Sequence, residues 1–324
     1  MLLRKTWNYF MRRIDTANGM FFYNLEDALK AMALRPFELH LELTNLCNAN
    51  CVFCPYQFQE HSTETMPDEV FYKAVSDFIA ASGGSVGLTP IVGDALLDPK
   101  YLKRVQYLRS QTEIDRIFIT TNAILVDRFG ARELISSGLT SINISTASFD
   151  KENYRAIYRN PSYGRMRDNV LNLSEENERS GRPVNISIGF RTDRVLKDSL
   201  NDPDFQDIRA YKPFLDFTWS YTSAGNRITK KMLPNKMRLR SVTRKPEPCV
   251  NLFHGPIVLP NGDVLGCNCV AAMDAIQDLR IGNILEDKLV TFIDPIAWLT
   301  SGTNFLDAST LLIQLAANAI CIEI

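Results

Sequence analysis

Apolar and polar residues alternate strictly through Phe37-Glu-Leu-His-Leu-Glu-Leu-Thr44, the period of a β-strand with one buried face. The period then changes. Met66 to Ala81 repeats its apolar positions Phe71, Val75, Phe78 and Ile79 at helical spacing, with Pro67 and Asp68 in the first turn. Ser85 to Val92 is a short apolar strand, Lys100 to Gln111 a helix and Arg116 to Thr121 a strand. The same alternation continues with a helix from Arg128 to Ser137 closed by Gly138, and a strand from Leu139 to Ser145. A helix over Asp168 to Ser180, a strand over Val184 to Arg191, a helix over Asp204 to Leu215 and a sixth strand over Asp216 to Ser220 complete the series. Strands and helices alternating at these lengths predict parallel β/α units. Six units fall short of the eight of a closed barrel. The expected fold is therefore α/β, a partial (β/α)6 TIM-type barrel.

Regions outside the six units set the expected domain limits. Residues 1–36 are basic and aromatic, with an amphipathic helix starting at its cap Asn24, and predict a helical extension packed on the barrel edge. The barrel covers 37–224, and the basic, proline-dotted stretch 225–248 reads as a linker. Residues 249–324 form a small α+β appendage, in which Pro260-Asn261-Gly262-Asp263 between apolar runs signals a hairpin.

Composition removes several function classes. The chain has 324 residues, 45% of them hydrophobic, and a formal net charge of −1. Near-neutrality gives no reason to expect a nucleic-acid partner. No apolar run is long enough for a membrane span, and the N-terminus lacks the apolar core of a signal peptide. A cytoplasmic location is expected, where the seven cysteines are reduced thiols, metal ligands or catalytic groups.

Three of those cysteines, Cys47, Cys51 and Cys54, lie in the stretch that follows the first strand, spaced Cys-x3-Cys-x2-Cys. Asn48, Asn50 and Pro55 predict a loop there, and such a loop can wrap three thiolates around one metal centre. A four-iron cluster is usually held by four thiolates, so three would leave one iron open. A zinc site completed by His40 or His61 is the alternative on the donor types alone. A disulfide would leave one thiol over.

With Phe53 preceding the last cysteine, this motif resembles that of the radical S-adenosylmethionine (SAM) enzymes. The resemblance implies a [4Fe-4S] cluster at Cys47, Cys51 and Cys54 whose open iron chelates SAM, with Phe53 beside the cofactor. Reductive cleavage of SAM would give a 5′-deoxyadenosyl radical that abstracts hydrogen from substrate, the electron coming from a flavodoxin- or ferredoxin-like donor. Gly93 and Asp94 are similar to the family's turn after the second strand, which holds the SAM ammonium. Thr121 and Asn122 match a strand end that binds ribose or the methionine carboxylate. Ser145, with Thr146 beside it, matches a ribose-contacting serine. Arg159 or Arg155, four apart and expected on one helix face, would reach the SAM carboxylate.

The C-terminal cysteines extend the resemblance. Cys249, Cys267 and Cys269, gathered by the hairpin, resemble the SPASM/twitch appendage, which implies an auxiliary [4Fe-4S] cluster. Such appendages end in a Cys-x2-Cys pair, where this sequence reads Cys321-Ile-Glu-Ile324. One cluster on Cys249, Cys267, Cys269 and Cys321 is the most this set can hold, with zinc as the alternative and His254 expected in a structural role. Family members with this appendage act on small polar molecules such as sugars and aminocyclitols, or on peptides. The lack of a peptide-recognition domain favours a small polar substrate, oxidised or rearranged, over a peptide or protein. A non-catalytic iron–sulfur or zinc protein is the competing class, and a cleft of barrel size argues against it.

Overall fold

The computed structural model describes residues 38–60, 62–81, 83–88, 91–240, 255–266 and 279–289. The expected N-terminal helix, His61, His254, and Cys249, Cys267, Cys269 and Cys321 lie outside the described residues.

Six strands run parallel and in sequence order: β1 (Glu38–Leu41), β2 (Gly84–Gly87), β3 (Ile114–Thr121), β4 (Ser141–Thr146), β5 (Asn185–Arg191) and β6 (Phe214–Thr218). Helices α1 (Asp68–Ala80), α2 (Tyr101–Arg109), α3 (Val126–Phe129), α4 (Ala131–Ser136), α5 (Lys151–Tyr158), α6 (Tyr163–Arg179), α7 (Leu196–Leu200) and α8 (Pro203–Arg209) fill the crossovers. This is the partial barrel expected from the alternation.

Register explains how one sheet serves two environments. Leu39, Val86 and Ile117 lie in one row, and Ile119, Ile142 and Ile186 in the next. These rows belong to the apolar core with α1, α2 and α6. The alternate positions, Thr120, Asn143 and Ser187 in one row and Ser145, Gly189 and Asp216 in another, make the inner face polar. Side-chain direction alternates along a strand, so each row keeps its face.

Several boundaries differ from the sequence reading. β2 stops at Gly87 rather than Val92, because the amides of Ile91 and Val92 turn to the carboxylate of Glu42. The helix expected over 128–137 is α3 and α4, broken at Gly130, whose φ of 92° a helix does not allow. The helix expected over 204–215 ends at Arg209, and β6 begins at Phe214, two residues before the expected strand. Residues 225–240 of the expected linker pack into the core through Ile228, Leu233 and Met237. Around them β7 (Ser220–Tyr221) and β8 (Arg238–Leu239) form a two-stranded parallel pair.

The expected hairpin is present. β9 (Ile257–Val258) and β10 (Asp263–Leu265) pair antiparallel, and β11 (Arg280–Asn283) adds outside β10. β9 also pairs parallel with β1, so the hairpin extends the barrel sheet to nine strands. Its apolar side packs Ile257, Leu259 and Leu265 on Ile91 and Val92, with Cys54 and Tyr56 against the same cluster. Among the described residues no helix is long and apolar enough to cross a membrane.

Candidate active site

The cysteine loop begins just past β1, at the C-terminal mouth of the barrel. Its base is closed by an antiparallel bridge between Thr44 and Thr65 and by Asn45, whose amide donates to Ser62 O and whose Oδ1 accepts from Glu64 N. Neighbouring elements then take up its backbone. Leu46 O accepts from Asp94 N at 2.7 Å, while the amides of Asn50 and Val52 donate to the last carbonyls of α5, Tyr158 O and Ile157 O. Asn48 O accepts from Asn160 Nδ2, and Asn48 Oδ1 accepts from Asn122 Nδ2 at 2.6 Å. The ends of β2, β3 and α5 therefore hold the loop in place.

Cys51 is buried and Cys47 and Cys54 are half-buried; all three are free thiols. Burial pushes the Cys47 thiol up to about 12, with Asp94 and Cys54 adding to the rise, and pushes Cys54 up to about 11. Cys51 is driven up by burial and then by the nearby Cys54 and Cys47. These thiols stay protonated near neutral pH until a metal displaces their protons. Among the described residues no three His, Cys, Asp or Glu side chains converge on a point that could hold a single metal ion. A cubane needs no such convergence, since each thiolate takes its own iron. The donor set fits such a cluster: three neighbouring thiols, an enclosed loop, and the buried donor atoms Asn48 Nδ2 and Tyr154 Oη left without partners beside it. His40 stays on the strand, 3.4 Å from Glu38 and edge-on to Phe118.

The other expected site residues gather around this loop. Gly93 has φ of 101°, and a Cβ there would come within 2.6 Å of Leu46 O and 2.8 Å of Thr44 O, so only glycine fits against the loop. Asp94 is 1% exposed, and its carboxylate accepts from Leu96 N (3.0 Å), Thr121 Oγ1 (2.8 Å) and Asn122 N (2.8 Å). Burial pushes this carboxyl up, and the three donors pull it back. Asp94 thus ties the β2 turn to the end of β3. Phe53 stacks on Tyr221 at 5.0 Å and meets Tyr158 edge to face at 5.7 Å. Ser145 shares a 2.7 Å hydrogen bond with the Tyr158 hydroxyl.

Arg159 and Arg155 do not share a helix face. Arg159 follows the last residue of α5 in the left-handed conformation, φ 49°, and donates to Gln57 Oε1 just beyond Cys54. Arg155 is exposed, 3.9 Å from Glu152. Thr146 points away from Ser145 into the core, as strand alternation requires, and is fully buried.

Sequence reasoning missed Glu42. It is 4% exposed, its Oε1 accepts from Ile91 N and Val92 N, and burial raises it to about 7. The signal was present as the third polar position of the β1 alternation. Tyr154, Tyr158 and Tyr221 were also missed as loop partners, since nothing in their local pattern separates them from ordinary core aromatics.

The parallel partial barrel thus presents three neighbouring thiols at its C-terminal mouth, a donor set suited to an iron–sulfur cluster. Residues 41–196, just under half of the chain, match the Radical SAM superfamily. Similar proteins include the GTP 3′,8-cyclase of Heliobacterium modesticaldum, 27% identical over 173 residues, covering 52% of this chain and 49% of that protein. Another is the probable GTP 3′,8-cyclase of Thermoplasma volcanium, 28% identical over 210 residues, covering 64% and 61%. The chain spans about half the length of the first of these relatives. Solved structures share the fold. SuiB of Streptococcus suis bound to the precursor peptide SuiA has a TM-score of 0.57 at 15% identity, covering 89% of this chain and 72% of that one. BtrN in complex with AdoMet and 2-DOIA has 0.52 at 14%, covering 88% and 90%.

Proposed function

We propose that this chain binds a [4Fe-4S] cluster at Cys47, Cys51 and Cys54, cleaves SAM reductively, and oxidises or rearranges a small polar substrate. The observation that carries the reading is the loop itself: three free thiols enclosed at the barrel mouth, inside the superfamily match. Cys47, Cys51 and Cys54 would hold the cluster, which would supply the electron for reductive cleavage of SAM. Phe53, stacked on Tyr221, offers an aromatic wall for the adenine, and the Ser145–Tyr158 hydroxyl pair offers hydrogen bonds to ribose. Arg159, turned toward the loop at Gln57, is the cation for the SAM carboxylate. Gly93 brings backbone close to the loop, while Asp94, Thr121 and Asn122 act mainly by fixing that geometry.

The substrate class rests on the inner face. A cavity of about 550 Å³ opens at the N-terminal end of the strands, away from the cysteine loop, where the strand starts at Ser141, Asn185 and Phe214 meet Arg116, Glu178 and Lys212. Asn143 lies two residues before Ser145 on β4, roughly 7 Å along the strand. The polar rows of that inner face, Thr120, Asn143 and Ser187 and then Ser145 and Asp216, suit a polyhydroxylated small molecule. The relatives named GTP 3′,8-cyclase are consistent with a polar substrate, and SuiB, bound to a peptide, keeps peptide modification as the second reading. An auxiliary cluster on Cys249, Cys267, Cys269 and Cys321, an external flavodoxin- or ferredoxin-like donor and a cytoplasmic location belong to the same proposal. The test is the triple variant C47A/C51A/C54A, prepared anaerobically and reduced with SAM. It should form no 5′-deoxyadenosine; formation at the wild-type rate would sink the assignment.

A further inference from the structure

Helix α5 meets the cysteine loop end-on, through the carbonyls of Ile157 and Tyr158. Its buried face carries Tyr154, Ile157 and Tyr158. Tyr154 and Tyr158 are one turn apart, and their rings stack with 5.1 Å between centroids at 10°. The Tyr158 ring reaches Phe53 of the loop, and its hydroxyl is taken by Ser145. Tyr154 is different. It is 0% exposed, and its hydroxyl has no hydrogen-bond partner. A buried hydroxyl left unpaired forfeits the hydrogen bonds it made in water, so such groups are rare without a missing partner.

The surroundings identify that partner. Tyr154 stacks on Tyr158, and the Tyr158 and Ile157 carbonyls take the amides of Asn50 and Val52 on either side of Cys51. Cys51, Cys47 and Asp94 are the groups that, once ionised, would raise the Tyr154 hydroxyl beyond the effect of burial. Asp94 already has three donors and makes no hydrogen bond to Tyr154. That leaves the two cysteine sulfurs. A neutral thiol accepts weakly, whereas a metal-bound thiolate carries charge and accepts well.

We infer that the Tyr154 hydroxyl donates a hydrogen bond to the cluster held by the loop, at the sulfur of Cys51 or Cys47; this rests on the cluster assignment above. Asn48 Nδ2 is a second buried donor without a partner beside the loop, with its Oδ1 held by Asn122. Tyr154 is thus a positioning and tuning residue that touches no reacting atom. A donor aimed at cluster sulfur favours the more negative, reduced state and raises the reduction potential.

The test compares anaerobic wild-type, Y154F and Y163F holoenzymes in a redox titration read by EPR. Y154F keeps the ring stack and loses one hydroxyl. Its reduced-to-oxidised ratio at a fixed potential should fall about tenfold, equal to a shift of about 59 mV to lower potential for one electron, with altered g values. Y163F is the control: its hydroxyl is already bonded to Phe149 O and Asp204, and its potential should match wild type. Apo Y154F should melt no lower than apo wild type, because the hydroxyl has no protein partner to lose. Loss of iron from a Y154F chain with that apo stability also supports the inference. A loaded Y154F with the wild-type potential and spectrum overturns it, as does an apo Y154F that melts well below wild type. A wild-type protein that holds no cluster overturns the functional reading and the inference together.

Discussion

Asp94→Asn tests what the carboxylate of the β2 turn does. By resemblance it would hold the SAM ammonium, and Asn, which removes the charge and keeps the shape, would then cost only SAM affinity. The structure gives a different expectation. Three donors already converge on Asp94: Leu96 N, Thr121 Oγ1 and Asn122 N. Two of them are backbone amides that cannot turn away. An Asn side chain offers one acceptor oxygen and one NH₂ group. The Thr121 hydroxyl can rotate to accept from that NH₂, but one of the two amides must face it donor to donor. An unsatisfied buried amide costs about 1–3 kcal/mol, and the other amide loses a charge-assisted bond. The sum is about 3 kcal/mol, roughly a hundredfold in the folding equilibrium. Urea unfolding of the metal-free chain should show the loss as a lower midpoint at unchanged slope. A D94N protein within about 0.5 kcal/mol of wild type would refute the reasoning and return Asp94 to the cofactor. If it is destabilised as expected, weaker SAM binding by D94N cannot be read as a lost ammonium contact.

Two further outcomes are expected. Glu42 is raised by burial from the usual 4.5 to about 7, so between those values the folded chain keeps a proton that the unfolded chain has released. Its stabilising contribution is complete below pH 4.5, declines as pH rises through about 7, and amounts to about 3 kcal/mol at 1.36 kcal/mol per unit. Glu42→Gln keeps an acceptor for Ile91 N and should flatten stability over that window; an unchanged pH slope would mean Glu42 is ionised in the fold. C249A/C267A should retain the SAM-cleaving cluster and lose about half the iron, and equal iron in the variant and wild type would rule out an auxiliary cluster.

The barrel was legible because its strands bury one face each. Alternation in 37–44 and 139–145, and helical spacing in 66–81, report burial one residue at a time. Where burial is shared between distant elements, that signal fails. Residues 225–240 look like a linker by their prolines and charges, yet Ile228, Leu233 and Met237 are core. The early end of β2 depends on Glu42, some 50 residues earlier in the chain, taking the amides of Ile91 and Val92.

The site divides in the same way. The gathering of Cys47, Cys51 and Cys54 in one loop was legible because it depends on one local spacing. Gly93 was legible because a turn against a loop demands a residue without a Cβ, and the missing Cβ would meet Leu46 O. The hydrogen-bond partners of Asp94, Thr121 and Asn122 were not, because each is set by what faces it. Asp94 faces the end of β3, 27 and 28 residues later, and Asn122 faces Asn48 across the loop. A polar residue near a cofactor can touch it or hold the residues that do, and the motif looks identical in both cases. Asp94 holds the end of β3, Asn122 holds Asn48, and Asn48 lies next to Cys47. That chain of hydrogen bonds joins the turn after the second strand to the residue beside the first thiol of the cysteine loop, so a substitution at either end is felt at the other.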